Sequence, residues 1–291
     1  MVDDLAHSLQ RLCTWFKKQD RVVIAYSGGV DSALLLYVAT RVLGREGCRG
    51  FFADSCLIGT DAKKSAIAFA GEHHLTLETC PVEPLQYPHF SQNSGSRCYI
   101  CKKQTYRLFL SRLDLGEILV DGTNLDDLNA DRPGTQALEE LKVATPYLEC
   151  KISKYGIRAL SYHLGLSTWC KLSDSCLATR VTQGSPLNLK ILLEIDTLES
   201  ALHLMGFAGC RVQVRNRDLF LTLHTSQIEQ ILVNDMLKQV QDLATRYNFG
   251  KVFLDLFERE GILPSLLDYI GFEGDSAPQK RFQSHFNNMS G

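Results

Sequence analysis

One stretch restricts the fold of this chain more than any other. Val22-Val23-Ile24-Ala25-Tyr26 runs into Ser27-Gly28-Gly29-Val30-Asp31-Ser32 and then into Ala33-Leu34-Leu35-Leu36-Tyr37-Val38-Ala39. The opening run is apolar, too short for a helix and rich in β-branched and aromatic residues, so it reads as a buried parallel strand. Ser27 to Ser32 form a turn, and a helix follows. Two glycines let the backbone approach a bound group, while the free N–H groups and positive dipole end of the helix suit an anion. The turn therefore reads as a phosphate site. No Gly-Lys-Ser/Thr follows, which excludes the Walker arrangement, and the spacing is wrong for the Rossmann Gly-x-Gly-x-x-Gly.

At 291 residues the chain has room for one large domain and a smaller one. A net charge of −2 supplies no global basic field for nucleic acid. There is no basic segment leading into an apolar core at the start and no apolar run of about eighteen residues, so the sequence reads as soluble and cytoplasmic, with no membrane partner. Ten cysteines are spread thinly along a large α/β chain without an export signal, which points to reduced thiols. Cys13, Cys48, Cys56, Cys80, Cys150 and Cys210 sit among apolar or mixed neighbours and read as small buried hydrophobes. Cys98, Cys101 and Cys176 are different.

An amphipathic helix is expected over residues 3–19, with Leu5, Leu9, Leu12, Trp15 and Phe16 on one face. The helix after the glycine turn ends near Gly44. Strands are expected over Cys48–Asp54, Leu75–Cys80 and Glu117–Val120, with helices from Asp61 to Glu72 and from Arg97 to Leu113 between them. This alternation predicts an α/β fold with a doubly wound parallel sheet. Ligands of such sheets lie past the carboxyl ends of the strands, which places Ser55 near the bound group. The same reasoning draws attention to Asp121-Gly122-Thr123-Asn124-Leu125-Asp126-Asp127 after the fourth strand, followed by Asp131-Arg132-Pro133-Gly134. Residues 1–183 form the first domain in this reading. A helix over Leu189–Leu202, strands over Cys210–Val214 and Leu219–Leu223, a long helix from Ser226 to Tyr247 and a strand over Lys251–Asp255 make residues 184–273 a small α+β domain. From Gly274 the chain is polar and reads as a disordered tail to residue 291.

The run Arg97-Cys98-Tyr99-Ile100-Cys101-Lys102-Lys103 sets two thiols on one face at a helix start, where thiolate is favoured. A third thiol stands in Asp174-Ser175-Cys176-Leu177-Ala178-Thr179-Arg180. Three readings remain open from the residues alone. Zinc would need a fourth ligand such as His163 or Cys170. A redox disulfide would join Cys98 to Cys101. An iron–sulfur cluster on three thiolates would leave one iron open to carry a sulfide.

Taken in order, Ser-Gly-Gly-x-Asp-Ser, Arg-Cys-x-x-Cys-Lys-Lys, Asp-Gly-Thr-Asn-x-Asp-Asp, Arg-Pro-Gly, Leu-Gly-Leu-x-Thr-Trp and Ser-Cys-Leu-Ala-Thr-Arg form a pattern with a known counterpart. The chain resembles the LarE family of ATP-dependent sulfur transferases, within the PP-loop ATP pyrophosphatases, from about residue 10 to residue 215. The resemblance implies ATP and Mg2+ as cofactors, an ATP site of Ala25, Ser27, Gly28, Gly29, Asp31, Ser32, Ser55 and Gly122, and Asp31 as the magnesium ligand. It implies adenylylation of a carboxylate on a pyridinium nucleotide and displacement of AMP by sulfide, in nickel-pincer nucleotide synthesis. Some family members sacrifice the sulfur of one cysteine and act once; others hold a 4Fe-4S cluster on three cysteines and turn over. The pattern here implies the second kind, with Cys98, Cys101 and Cys176 as catalytic cluster ligands and Ser175 at the sacrificial position. A one-residue shift of the match would instead make Cys176 the sacrificial donor.

Arg97, Arg180, Arg211 and Arg215 are candidates for the anionic groups of the substrate, because guanidinium pairs bidentately with carboxylate and phosphate. The partners implied are ATP, a small anionic nucleotide, a sulfide or cysteine-desulfurase sulfur source, and further copies of the chain in a homo-oligomer. Two departures from the family stand out: Thr222 replaces an acidic residue, and Leu256-Phe257-Glu258-Arg259-Glu260-Gly261 replaces a Gly-Tyr/Phe-Arg-Ser-Gly stretch. The rival reading is a tRNA thiolation enzyme of the same superfamily, against which the charge of −2 and the lack of a Lys/Arg-rich module argue.

Overall fold

In the computed structural model, which describes residues 2–129, 133–172, 175–232, 235–255, 282–283 and 286–287, helix α1 (Val2–Phe16) leads into strand β1 (Arg21–Tyr26). Helix α2 (Val30–Gly47), strand β2 (Cys48–Asp54), helix α3 (Thr60–Glu72) and strand β3 (Leu77–Pro81) follow. A short helix α4 (Pro88–Ser91), helix α5 (Arg97–Leu110) and strand β4 (Glu117–Val120) complete the first sheet. All its strands are parallel, in the order β3-β2-β1-β4, with Val23 in register with Arg49 on one side and Leu119 on the other. β1 is apolar because it has a strand on each side and helices on each face.

Alternation along β1 assigns the faces. Val22, Ile24 and Tyr26 point to a core shared with Leu9 and Phe16 of α1, Leu34 and Leu35 of α2, and Ile157 and Leu160 of a later helix. Val23 points the other way, with Phe51 and Leu119, to Tyr106 and Phe109 of α5. The sheet is thus covered on both faces, as the strand and helix order predicted. Helices α6 (Pro133–Glu140), α7 (Pro146–Glu149) and α8 (Lys154–His163) follow β4, and an isolated parallel bridge pairs Val120 with Ala144.

Helix α9 (Leu189–Leu204), strands β5 (Arg211–Arg215) and β6 (Asp218–Thr222), helices α10 (Thr225–Ile231) and α11 (Met236–Arg246), and strand β7 (Val252–Asp255) follow, and the three strands form a second sheet. Its order is β5-β6-β7, antiparallel then parallel. The apolar cluster beneath it takes Leu192, Leu198, Val212 and Leu221 from these elements, and Leu57, Phe90, Leu177 and Val181 from before residue 184. The Asp196 carboxylate of α9 accepts from Thr60 N at 2.9 Å and Thr60 Oγ1 at 2.6 Å, which fastens α9 to the start of α3.

The structure departs from expectation at several boundaries. The long helix expected over 226–247 is two helices; Asp235, ahead of α11, has a left-handed φ of 56°, a conformation that Asp tolerates better than most residues. β3 begins at Leu77 rather than Leu75, because Leu75 N closes the end of α3 by donating to Ala70 O at 2.8 Å after left-handed His74. α1 ends at Phe16, ahead of the lysine pair. The Leu256–Gly261 stretch and most of 274–291 lie outside the described residues. Those of the tail that are described pack: Phe282 meets His163 at 5.2 Å between ring centroids, Phe286 meets Tyr37 at 6.2 Å, and Gln283 Nε2 donates to Leu164 O at 2.9 Å. Among the described residues no helix is long and apolar enough to cross a membrane.

Candidate active site

The glycine turn closes on itself and leaves its helix open. Ser27 N donates to Ser32 Oγ at 3.1 Å, the two serine hydroxyls lie 3.1 Å apart, and Ser32 Oγ donates to Gly29 O at 3.3 Å. Gly29 caps α2 without a side-chain hydrogen bond, so the first N–H groups of the helix carry no cap of their own. Gly28 has a φ of +74°, and a Cβ there would overlap the Ala66 side chain of α3 and lie 2.9 Å from its Cα. Only glycine meets both conditions.

The loop after β4 rests directly on this turn. A Cβ on Gly122 would lie 3.1 Å from the Asp31 Cβ and 3.3 Å from Ser32 N. Asn124 Nδ2 donates to Asp31 Oδ1 at 3.2 Å, and the buried Tyr147 hydroxyl donates to Asp31 O at 2.9 Å. Burial, with Asp31 adding to it, holds the Tyr147 phenol well above its ordinary pKa. Ala25, next to the turn, stands opposite Phe51 of β2. Ser55 follows β2, and its hydroxyl accepts from Leu57 N at 3.3 Å.

Three cations gather here that the sequence reading missed. Lys154 forms an ion pair with the Asp31 carboxylate. Lys171 Nζ donates to Gly28 O at 3.0 Å and to Ser65 Oγ at 3.4 Å. Arg158 holds the Lys171 segment by donating to Trp169 O and, at 2.9 Å, to Lys171 O; burial lowers its pKa and Asp31 opposes the shift. A signal was present. Lys154 occupies the first turn of α8, where the helix dipole disfavours a cation, and Arg158 lies four residues on along the same face.

The thiols come from two segments. α5 starts at Arg97, so Cys98 and Cys101 lie in its first turns as expected; Cys98 is exposed, and Cys101 and Cys176 are half-buried against the second apolar cluster. Burial pushes the Cys101 thiol up to about 12, with Cys176 and Cys98 adding to the shift. Burial also raises Cys176, with Cys98 adding to it, while the N–H groups of Ala178 and Thr179 and the Arg97 charge oppose. The three expected thiols thus stand in one another's field. Cys56, expected to be an ordinary buried cysteine, is half-buried and acts on Cys101 as well; Leu177 N donates to Leu57 O at 2.8 Å, which joins its segment to that of Cys176. Cys13, Cys48, Cys80, Cys150 and Cys210 are buried, and every cysteine is a free thiol. Among the described residues no three His, Cys, Asp or Glu side chains stand together as ligands of one metal ion. Iron–sulfur clusters are held by cysteine thiolates, one on each of several irons, and the donors here are thiols, so the donor set matches such a cluster in kind. His163 packs against Phe282, and the Cys170 thiol donates to Ser167 O at 3.6 Å.

Asp121 links the thiol helix to the glycine turn. It accepts from the Tyr106 hydroxyl and Thr123 and pairs with Lys102 at 3.4 Å. Burial pushes its carboxyl up, but Lys102, Thr123 and Tyr106 outweigh burial and hold it below the usual carboxylate range. Lys102 and Tyr106 follow Cys101 on α5, and Asp121 precedes Gly122.

The arginines differ among themselves. Arg97 donates to the buried Asn93, whose Nδ2 donates to Thr182 O at 2.9 Å. Arg180, expected to meet substrate, is only 3 % exposed and directs Nε at Glu199 Oε1 across 2.7 Å. Arg211 lies half-buried on β5, and Arg215 is exposed, stacked over Phe220 at 4.4 Å. Thr222 stands in register with Asp255, which puts a carboxylate beside this position. Asp131, Arg132 and Asp174 lie outside the described residues.

Comparison with known proteins adds relatives of nearly full length. No family model matches the chain. It is 32% identical over 254 residues to an uncharacterized protein of Synechocystis sp., covering 87% of this chain and 94% of that protein. It is 31% identical over 256 residues to the pyridinium-3,5-bisthiocarboxylic acid mononucleotide synthase of Lactiplantibacillus plantarum, covering 87% of this chain and 91% of the synthase. An uncharacterized protein of Methanocaldococcus jannaschii is 28% identical over 244 residues, covering 82% and 90%.

Proposed function

The chain belongs to the LarE family, that of the pyridinium-3,5-bisthiocarboxylic acid mononucleotide synthase, and from this premise we propose that it activates a carboxylate of a pyridinium mononucleotide with ATP and exchanges AMP for sulfide. The observation that carries the reading is the linkage of two features in one fold. An uncapped helix start at Ser27–Ser32 is joined through Gly122, Asp121 and Lys102 to the helix that bears Cys98 and Cys101.

In the first step a carboxylate oxygen attacks the α-phosphorus of ATP. The bond to the β-phosphate oxygen breaks and pyrophosphate leaves with the electron pair. The N–H groups at the start of α2, the Ser27 and Ser32 hydroxyls, Lys154 and Lys171 offset the charge that develops on the leaving group. Asp31 is the residue that would hold Mg2+, which supplies further charge neutralisation when bound. In the second step a sulfide attacks the acyl carbon, AMP leaves, and a thiocarboxylate remains. Arg97, whose charge acts on the Cys176 thiol, would orient the carboxylate under attack. Cys98, Cys101 and Cys176 would hold a 4Fe-4S cluster, which supplies sulfide when bound. In the same reading residues 184–273 serve substrate recognition, a sulfide or cysteine-desulfurase source replenishes sulfur, and the protein works in the cytoplasm as a homo-oligomer.

The test is iron and acid-labile sulfide content, with a visible spectrum, on protein made and kept without oxygen, beside Cys176→Ala. About four irons per chain, lost in the variant, is the expected result. Iron-free protein that thiolates once and loses one sulfur from Cys176 would overturn the cluster in favour of a sacrificial donor.

A further inference from the structure

Glu199 of α9 takes no part in the chemistry above, yet it governs the segment that carries Cys176. The side chain is 7% exposed; its Oε1 accepts from Arg180 Nε at 2.7 Å and from Val212 N at 2.9 Å, and its Oε2 accepts from Arg180 Nη2 at 3.3 Å. Arg180 Nη1 then donates to Ser175 Oγ at 2.7 Å, to Ser175 O at 3.2 Å and to Thr179 Oγ1 at 3.1 Å. Thr179 returns to the thiol residue: its Oγ1 and its N donate to Cys176 O at 2.8 and 2.9 Å. One guanidinium therefore clasps the chain on both sides of Cys176, and one carboxylate from another helix fixes that guanidinium.

Such a pair is a poor device for stability alone. Taking both charges out of water costs about as much as their attraction returns, and apolar side chains of similar volume would pack as well. What an apolar pair could not supply is direction: three contacts donated by Arg180 to Ser175 and Thr179, continued by the two that Thr179 donates to Cys176 O, define one path for the loop. The Val212 bond extends the constraint to β5, in which Val214 O accepts from Thr182 N at 3.2 Å and from Thr182 Oγ1 at 3.0 Å.

We propose that Glu199 is a positioning residue for Cys176, acting through Arg180 to set the thiol against Cys98 and Arg97 and in fixed register with the strand that carries Arg211 and Arg215. The proposal deepens the sulfur-transfer reading, on which its functional meaning rests. Arg180 is on this view a structural cation of the thiol loop.

The test is peptide-level mass spectrometry of iodoacetamide labelling on the full chain with its thiols reduced, taking the rate at Cys176 relative to Cys98 at one fixed pH. Glu199→Gln is expected to change that ratio by about fivefold or more, with Cys101 and Cys210 unmoved. Glu199→Asp, which keeps a carboxylate on a shorter stem, is expected to fall between the parent and Glu199→Gln. A folded Glu199→Gln protein whose ratio stays within about twofold of the parent overturns the proposal, as does a common acceleration of Cys101, Cys176 and Cys210, which would mark general loosening. Should Glu199→Gln fail to fold, Ser175→Ala removes one bond of the clasp and leaves the buried pair intact; a shift of the ratio in the same direction supports the proposal, and none overturns it. Neither pyrophosphate release nor iron content enters this readout, so failure of the sulfur-transfer reading shows elsewhere.

Discussion

Lys154 pairs with the carboxylate of Asp31 across 123 residues of sequence, bringing the first turn of α8 onto the first turn of α2. Both side chains are about a quarter exposed, at 29% and 24%, so the pair contributes about 1 kcal/mol or less to stability. Its weight lies in placing a cation beside the glycine turn. Lys154→Met is expected to lower the turnover number of ATP-dependent pyrophosphate release by about tenfold to a hundredfold, while urea denaturation changes little. Unchanged turnover would remove Lys154 from the phosphate machinery.

Gly28 has no tolerable substitute. Its φ of +74° and the closeness of Ala66 mean that Gly28→Ala must strain the turn and push α3 aside together. We expect a loss of about 2 kcal/mol in urea denaturation and no measurable ATP binding by calorimetry. Parent-like ATP affinity would show that the turn can relax without loss of its anion site.

Asp121 makes stability depend on acidity in a defined direction. Burial raises its carboxyl pKa, but Lys102, Thr123 and Tyr106 prevail, so the folded pKa lies below the unfolded value of about 4. Its stabilisation is complete above that unfolded value and is lost as the pH falls through the lower folded one. Asp121→Asn should therefore flatten this part of the acid limb in urea titrations between about pH 2 and pH 5. An acid limb with the parent's slope would assign the dependence to other carboxylates, among them Glu117, which Arg49 also holds low against the opposing effect of burial.

The thiols should differ in reactivity. With its pKa pushed up to about 12 by burial, Cys101 is a neutral thiol at any pH near neutrality. On the reduced, metal-free chain at about pH 8, exposed Cys98 is expected to alkylate at least about tenfold faster than Cys101, and raising the pH to about 9 should leave Cys101 slow. Equal rates would mean that Cys101 is more open than its packing indicates.

Local signals revealed most of the first sheet, and distant partners account for what they left out. Val22–Tyr26 is apolar because it is flanked by strands and faced by helices, and such a run is legible without knowing which residues cover it. The helix start at Arg97 was legible from the apolar spacing that follows it. The cations were not, since Lys154 and Lys171 acquire their meaning from Asp31 and Gly28, 123 and 143 residues away. Arg180 shows the same limit from the other side. Its guanidinium suits an anionic substrate, and only the arrival of Glu199 from α9 shows it turned to a buried carboxylate instead. The break ahead of α11 was hidden because apolar periodicity continues on both sides of left-handed Asp235.

The hydrogen bond from Leu177 N to Leu57 O and the bridge between Val181 and Val214 stitch the thiol loop between the first sheet and the second. For anyone recombining this chain with a relative, the seam that looks natural in the sequence, just after Gly184, is therefore a poor place to cut. A hybrid joined there would inherit Arg180 from one parent and Glu199 and Val212 from the other, and its two portions would meet as strangers at the loop where they must agree most closely.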